Sequence, residues 1–202
     1  MIDKVKKILE AEATAILNIP VTDRYEKAIE LIHKHVHINK GKLVTSGMGK
    51  AGQIAHDIAT TFSSTGTPAV FLHPSEAQHG DLGVLQENDL LLAISNSGKT
   101  REIIELLELK ENLYPGIPVI VLTGNSNSPV VEKADCVILT GAPKEVCILG
   151  LTPTTSTTVM TVIGDALVVL MMEKISFTAE GYAKRHHGGY LGVKSREISG
   201  RK

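Results

Sequence analysis

Leu90-Leu91-Leu92-Ala93-Ile94-Ser95-Asn96-Ser97-Gly98-Lys99-Thr100 is the stretch that decides the fold. An apolar run ends abruptly in hydroxyls and a glycine, and a helical pattern begins at Arg101. A buried strand running into a helix N-terminus predicts a βα unit whose turn is an anion site. The free amides of a first helical turn and the positive end of its dipole both favour a phosphate there. Ser95, Ser97 and Thr100 add donors that carry no charge.

Outward from this turn, strands and helices alternate. Lys42 to Gly47, Ala69 to Leu72, Pro118 to Leu122 and Cys136 to Leu139 read as further strands. Gln53 to Phe62, Glu102 to Leu113 and Pro129 to Ala134 read as helices between them. Two amphipathic helices lead the chain, the second capped by Thr22 or Asp23. A long helix over 155–174 carries few charges and is expected to be buried or packed on a partner. A short helix from Thr178 and a Gly-rich tail close the chain. Strands separated by helices, with nearly unbroken apolar runs, predict a parallel sheet of about five strands covered on both faces. The 202 residues are most simply one domain.

Gly47-Met-Gly-Lys-Ala-Gly52 matches the G-x-G-x-x-G spacing of dinucleotide sites. That fingerprint also needs an acid at the end of the second strand, where His73 stands instead. Two other readings remain: a glycine turn required for close helix–strand packing, or a backbone wall with Lys50 pointing into a sugar-phosphate pocket. Ser97-Gly98-Lys99-Thr100 resembles the end of a P-loop, but Ala93 occupies the place of its first glycine, against a nucleoside triphosphatase. The run from His73 to Gly83 holds three acid-base candidates, Glu76, His79 and Asp81, beside the phosphate turn. His73 and His79 could also ligate a metal, but no carboxylate or thiolate shell completes such a site. Thr152 to Thr158 opens the long helix, either as a cap or as a second anion-facing start. Asp165, inside that helix, is expected to have a structural partner. His33, His35 and His37 read as surface residues.

Composition excludes several classes. A net charge of −1 gives no general attraction to nucleic acid or anionic membrane. Aromatic residues are 3% and Trp is absent, so base-stacking platforms are not available. The apolar stretches read as too short to span a bilayer, and no signal sequence opens the chain. Cys136 and Cys147 have no metal spacing and are expected to be reduced thiols in a cytoplasmic protein.

Taken together, these segments resemble the sugar isomerase (SIS) domain, and within it the arabinose-5-phosphate isomerases. The resemblance rests on Ser46 to Gly52, Ser64 to Pro68, His73 to Gly83 and Ala93 to Gly98. It continues through Lys144 to Cys147, Leu149 to Thr158, Gly164 to Leu167 and Phe177 to Glu180, with His186 beyond. It spans roughly residues 5–195 and implies a single SIS domain over 1–202 without paired CBS domains. The implied fold is a three-layer αβα sandwich around five parallel strands. The implied reaction is D-ribulose 5-phosphate to D-arabinose 5-phosphate through an enediol, leading to Kdo for lipopolysaccharide or capsule. The implied catalytic set is Lys50, His79, Glu102, Glu145 and His186. The implied substrate and phosphate contacts are Ser46, Gly47, Ser95, Asn96, Ser97 and Thr100. No cofactor and no metal are implied, and the expected assembly is a homotetramer whose subunits share sites. Where the family commonly has His-Pro-Gly-Gly, this chain has His186-His187-Gly188-Gly189. The alternatives are a non-catalytic sugar-phosphate-binding regulator on the same fold and an isomerase of another phosphosugar.

Overall fold

The computed structural model describes residues 1–200. In chain order the elements are α1 (Ile2–Leu17), α2 (Arg24–Ile32), β1 (Leu43–Gly47), α3 (Gly49–Ser64), β2 (Ala69–Phe71), α4 (Pro74–Ala77) and β3 (Leu90–Ile94). There follow α5 (Arg101–Leu113), β4 (Val119–Thr123), α6 (Pro129–Glu132), β5 (Cys136–Leu139), α7 (Thr155–Lys174), α8 (Ala179–Ala183) and α9 (Gly189–Ile198). The five strands are parallel and ordered β2-β1-β3-β4-β5.

The unbroken apolar strands conceal a period of two. Leu43, Leu90, Leu92, Ile94, Ile120, Leu122, Cys136 and Ile138 face a core shared with α2, α3 and α7. Val44, Leu91, Ala93, Val119 and Val121 face the opposite core, with Ile103, Leu106 and Leu107 of α5. Both faces are thus covered, which is why alternation is invisible in the sequence. Glycine permits the closest approaches. A Cβ on Gly52 would lie 2.5 Å from the carbonyl oxygen of Gly47, and one on Gly164 of α7 would lie 2.5 Å from Ile58 of α3.

The crossover from β1 to β2 carries α3 on one face, and that from β3 to β4 carries α5 on the other. Strand order therefore reverses between β1 and β3. Ligands of open α/β sheets bind at such a switch point, at the carboxyl ends of the strands. At the opposite end, fully buried Asp89 accepts hydrogen bonds from the Lys42 and Gln86 amides and pairs with Lys42 Nζ at 2.6 Å. This pins β1 to β3, whose distal turns form the pocket.

Several expectations are corrected. The Gly-rich tail is ordered as α9, and Asp165 is exposed rather than held by a structural partner. His33, His35 and His37 lie in a π-helical turn, His33–Ile38, and are half-buried. His37 Nε2 is 3.0 Å from the Thr67 hydroxyl, and burial first, then His33, lowers its pKa. At 20 residues, α7 does meet the length and composition of a membrane span. Half of that window is buried inside the protein, against α1, α2 and α3, so it serves here as a core helix.

Candidate active site

The switch point opens into a cavity of about 740 Å³. Lys50 lines it from the first turn of α3, Asn96, Ser97 and Thr100 from the β3–α5 turn, Lys144 and Glu145 from the segment before α7, and Ser156 and Thr157 from the first turn of α7.

The β3–α5 turn is built from its own hydroxyls. Ser95 is buried, its Oγ 2.8 Å from Thr100 Oγ1, and it accepts the Gly98 amide at 3.2 Å. Asn96 carbonyl accepts the Gly124 amide, and Ser97 carbonyl accepts Asn125 Nδ2, so β4 braces the turn. Gly98 has φ +65°, and a Cβ there would lie 2.0 Å from Ser128 Oγ. Thr100 occupies the cap position of α5 but makes no capping hydrogen bond. Its hydroxyl is held by Ser95, and the first-turn amides have no side chain of their own cap to satisfy them. Such an end is suited to an anion.

The β1–α3 turn combines the two readings the sequence left open. Gly47 and Gly52 allow strand and helix to meet, since a Cβ on Gly47 would sit 2.7 Å from Ala51 carbonyl oxygen. Lys50 meanwhile faces the cavity. Ser46 is fully buried and its hydroxyl donates to Leu72 carbonyl at 2.7 Å. Its side chain joins β1 to the end of β2, beneath the turn.

Glu145 has a role that spacing could not reveal. Its carboxylate accepts the Thr154 amide at 2.7 Å, the Thr154 hydroxyl at 3.0 Å, the Ser156 amide at 3.3 Å and the Ser156 hydroxyl. Thr154 is the N-cap residue of α7, yet its own side chain does not cap the helix. The cap is supplied from outside by an acid, which the helix dipole also favours. Burial pushes the Glu145 pKa up, but the Ser156 and Thr154 donors outweigh it and leave it below the ordinary carboxylate value. The hydroxyl protons of Thr154 and Ser156 are therefore committed to Glu145, and that of Thr157, at the cavity wall, to the Thr154 carbonyl at 2.7 Å.

Of the expected contacts, Ser46, Gly47 and Ser95 lie beneath the cavity rather than lining it, and three expected catalytic residues are also not among the cavity-lining groups of one copy. Glu102 is half-buried in the first turn of α5, two residues beyond the cavity-lining Thr100. His79 is exposed after α4, where its amide donates to Glu76 carbonyl. His186 stacks on Tyr182 with ring centroids 3.7 Å apart, and its Nδ1 lies 3.0 Å from Tyr182 carbonyl. A carbonyl only accepts, so Nδ1 carries the proton in this contact.

Cys147 was legible only as a thiol. Its Sγ accepts the Leu151 and Thr152 amides at 3.3 and 3.2 Å, and these hydrogen bonds draw its pKa down to about 7. Cys136 is buried, which pushes its pKa up. Among the described residues no group of three or more His, Cys, Asp or Glu is placed to hold a metal.

The family model of the SIS domain matches residues 38–170. A curated arabinose 5-phosphate isomerase, KdsD of Pseudomonas aeruginosa, is 45% identical over 184 residues, covering 91% of this chain and 55% of that protein. The chain thus spans about half the length of this curated relative. A solved structure from Bacteroides fragilis, described as a putative phosphosugar isomerase involved in capsule formation, is 68% identical, with a TM-score of 0.93 over 94% of this chain and 99% of that one. An Escherichia coli CFT073 protein solved in complex with arabinose 5-phosphate is 33% identical, with a TM-score of 0.85 over 92% of this chain and 96% of that one.

Proposed function

We propose that this chain, which belongs to the SIS domain family, is an aldose–ketose isomerase interconverting D-ribulose 5-phosphate and D-arabinose 5-phosphate. The observation that carries the reading is one cavity that joins a hydroxyl-bearing turn suited to phosphate, Lys50 and the Glu145 carboxylate at the switch point of the sheet. The names of the similar proteins, arabinose 5-phosphate isomerase and the arabinose 5-phosphate complex among them, support the choice of sugar.

The phosphate rests on the Asn96–Thr100 turn and fixes the sugar chain, converting proton transfer into a reaction between oriented groups. A base removes the proton from the carbon beside the carbonyl and returns it to the neighbouring carbon, through a cis-enediol. Lys50 stabilises the negative charge that develops on the oxygens. Glu145 accepts from four donors and is held ionised, which makes it a weaker base. This favours Glu102 as the group that carries the proton. A histidine, His79 or His186, opens the sugar ring or protonates the carbonyl oxygen. Both stand outside the cavity of one copy, and in this proposal neighbouring copies of a homotetramer bring them in.

The assembly has support in the exposed apolar residues of α1, where Ile2, Val5, Ile8 and Leu9 are uncovered, and of α7, where Val169 and Leu170 are uncovered. A cytoplasmic setting agrees with two unpaired thiols. Arabinose 5-phosphate would feed Kdo for lipopolysaccharide or capsule, in keeping with the capsule role given to the Bacteroides fragilis protein.

Glu102→Gln and Glu145→Gln test the carboxylate mechanism. At least one should lower kcat by roughly a hundredfold or more; near wild-type kcat in both contradicts it. Activity should also survive EDTA. Its abolition, with restoration by one specific metal, would overturn the metal-free chemistry.

A further inference from the structure

We infer that Glu12, on the leading helix, is a positioning residue for the segment that carries Glu145. This rests on the reading of the cavity as an isomerase site.

The contacts form a short relay. Glu12 Oε1 accepts the hydroxyl of Thr155 at 2.8 Å, across 143 residues of sequence. The same hydroxyl oxygen accepts the amide of Val146 at 3.2 Å. A Thr hydroxyl has one proton, and here Glu12 takes it, which orients a lone pair toward Val146. Val146 follows Glu145 directly, so fixing its amide fixes the backbone from which the carboxylate reaches Thr154 and Ser156. Thr155 is 1% exposed, which keeps water from substituting for either partner.

The relay makes sense of α1. None of its residues is fully buried, and it packs on α7 from outside, with Ala15 against the core. It nevertheless sends one carboxylate inward to the first residue of α7, next to the Glu145 cap. The other oxygen of Glu12 is buried with no partner among the described residues. Two acids therefore meet the same helix N-terminus, Glu145 at Thr154 and Ser156 and Glu12 at Thr155. Glu145 holds its amides, and Glu12 holds the loop that delivers Glu145. A displacement of about an ångström in a catalytic group costs as much as a hundredfold in rate.

The test uses the full chain as wild type, Glu12→Ala, Glu12→Gln, Thr155→Val and the double variant Glu12→Ala/Thr155→Val. Steady-state rates on ribulose 5-phosphate are measured alongside thermal melting and hydrogen exchange at the Val146 amide. Glu12→Ala should lower kcat roughly tenfold while KM stays within about twofold. Glu12→Gln should restore most of the rate, because its amide oxygen still accepts from Thr155. The double variant should be no slower than the slower single variant, since both break one relay. Val146 exchange should quicken in Glu12→Ala. Unchanged kcat in Glu12→Ala, equal damage from Gln and Ala, or additive losses would each overturn the inference. If the wild type converts no ribulose 5-phosphate, the isomerase reading fails, and Val146 exchange alone still decides whether Glu12 holds the loop.

Discussion

Gly98 carries a heavy constraint for its size. Its φ of +65° disfavours a side chain, and its neighbour Ser128 leaves no space for one. Gly98→Ala should therefore displace the proposed phosphate turn, raising KM by about tenfold or more and lowering stability by about 1–3 kcal/mol, both readable from kinetics and urea unfolding. The sequence showed a glycine in a turn, but Ser128 comes from the β4–α6 connection and no local pattern announces it. Lys50 was legible for a different reason: a charged residue between close-packing glycines at a strand end has few places to go except outward into the cavity. Glu145 was not legible as a cap, because its partners Thr154 and Ser156 look self-sufficient as capping residues. The same loop holds Cys147, whose thiol ionises at about 7 through the Leu151 and Thr152 amides. At pH 8 iodoacetamide should label Cys147 first and buried Cys136 only on unfolding, as peptide mass mapping would show. Equal labelling of the two thiols would contradict the hydrogen-bonded thiolate.

Helix α7 ties the site to the body. Its first turn is held by Glu145, its middle packs on α3 through Gly164, and its side toward α2 fills the core. Glu145 ionises below its ordinary value of 4.5, so it stabilises the fold fully above that value. That contribution is lost as pH falls through the lower folded value. Glu145→Gln should accordingly destabilise the protein at pH 7, and the gap to wild type should shrink below about pH 4.5; a gap constant with pH would exclude an ionised cap. The buried pair at the other end of the sheet is harder to lose. Asp89→Ala leaves Lys42 and two amides without their acceptor and should cost about 3–5 kcal/mol, measured by denaturant unfolding. Elements were the most legible scale, because strand and helix periods are local. The Gly-rich C-terminus was the exception. Gly189 and Gly192 look like loop residues, yet Gly192 admits the carbonyl of His186 where a Cβ would lie 2.4 Å from it, and the segment coils into α9.

The order β2-β1-β3-β4-β5 places the turns after β1 and β3 side by side, although 48 positions separate Gly47 from Ser95 in the chain. The start of α3 supplies Lys50, the β3–α5 turn the proposed phosphate cradle, and a third segment brings Glu145 to the same cavity. His79 and His186 remain outside, and a single chain cannot announce what a second copy adds. If neighbouring copies complete the site, the protein should elute as a tetramer in light scattering at working concentration, and variants that dissociate it should lose kcat. An active monomer would contradict the shared site. The central claim is tested most directly by incubating the purified protein with D-ribulose 5-phosphate and following the aldose by NMR. Appearance of D-arabinose 5-phosphate, approached from either side to the same ratio, is the predicted result. Stoichiometric binding of the phosphosugar with no turnover would contradict it and leave a sugar-phosphate sensor on the same fold.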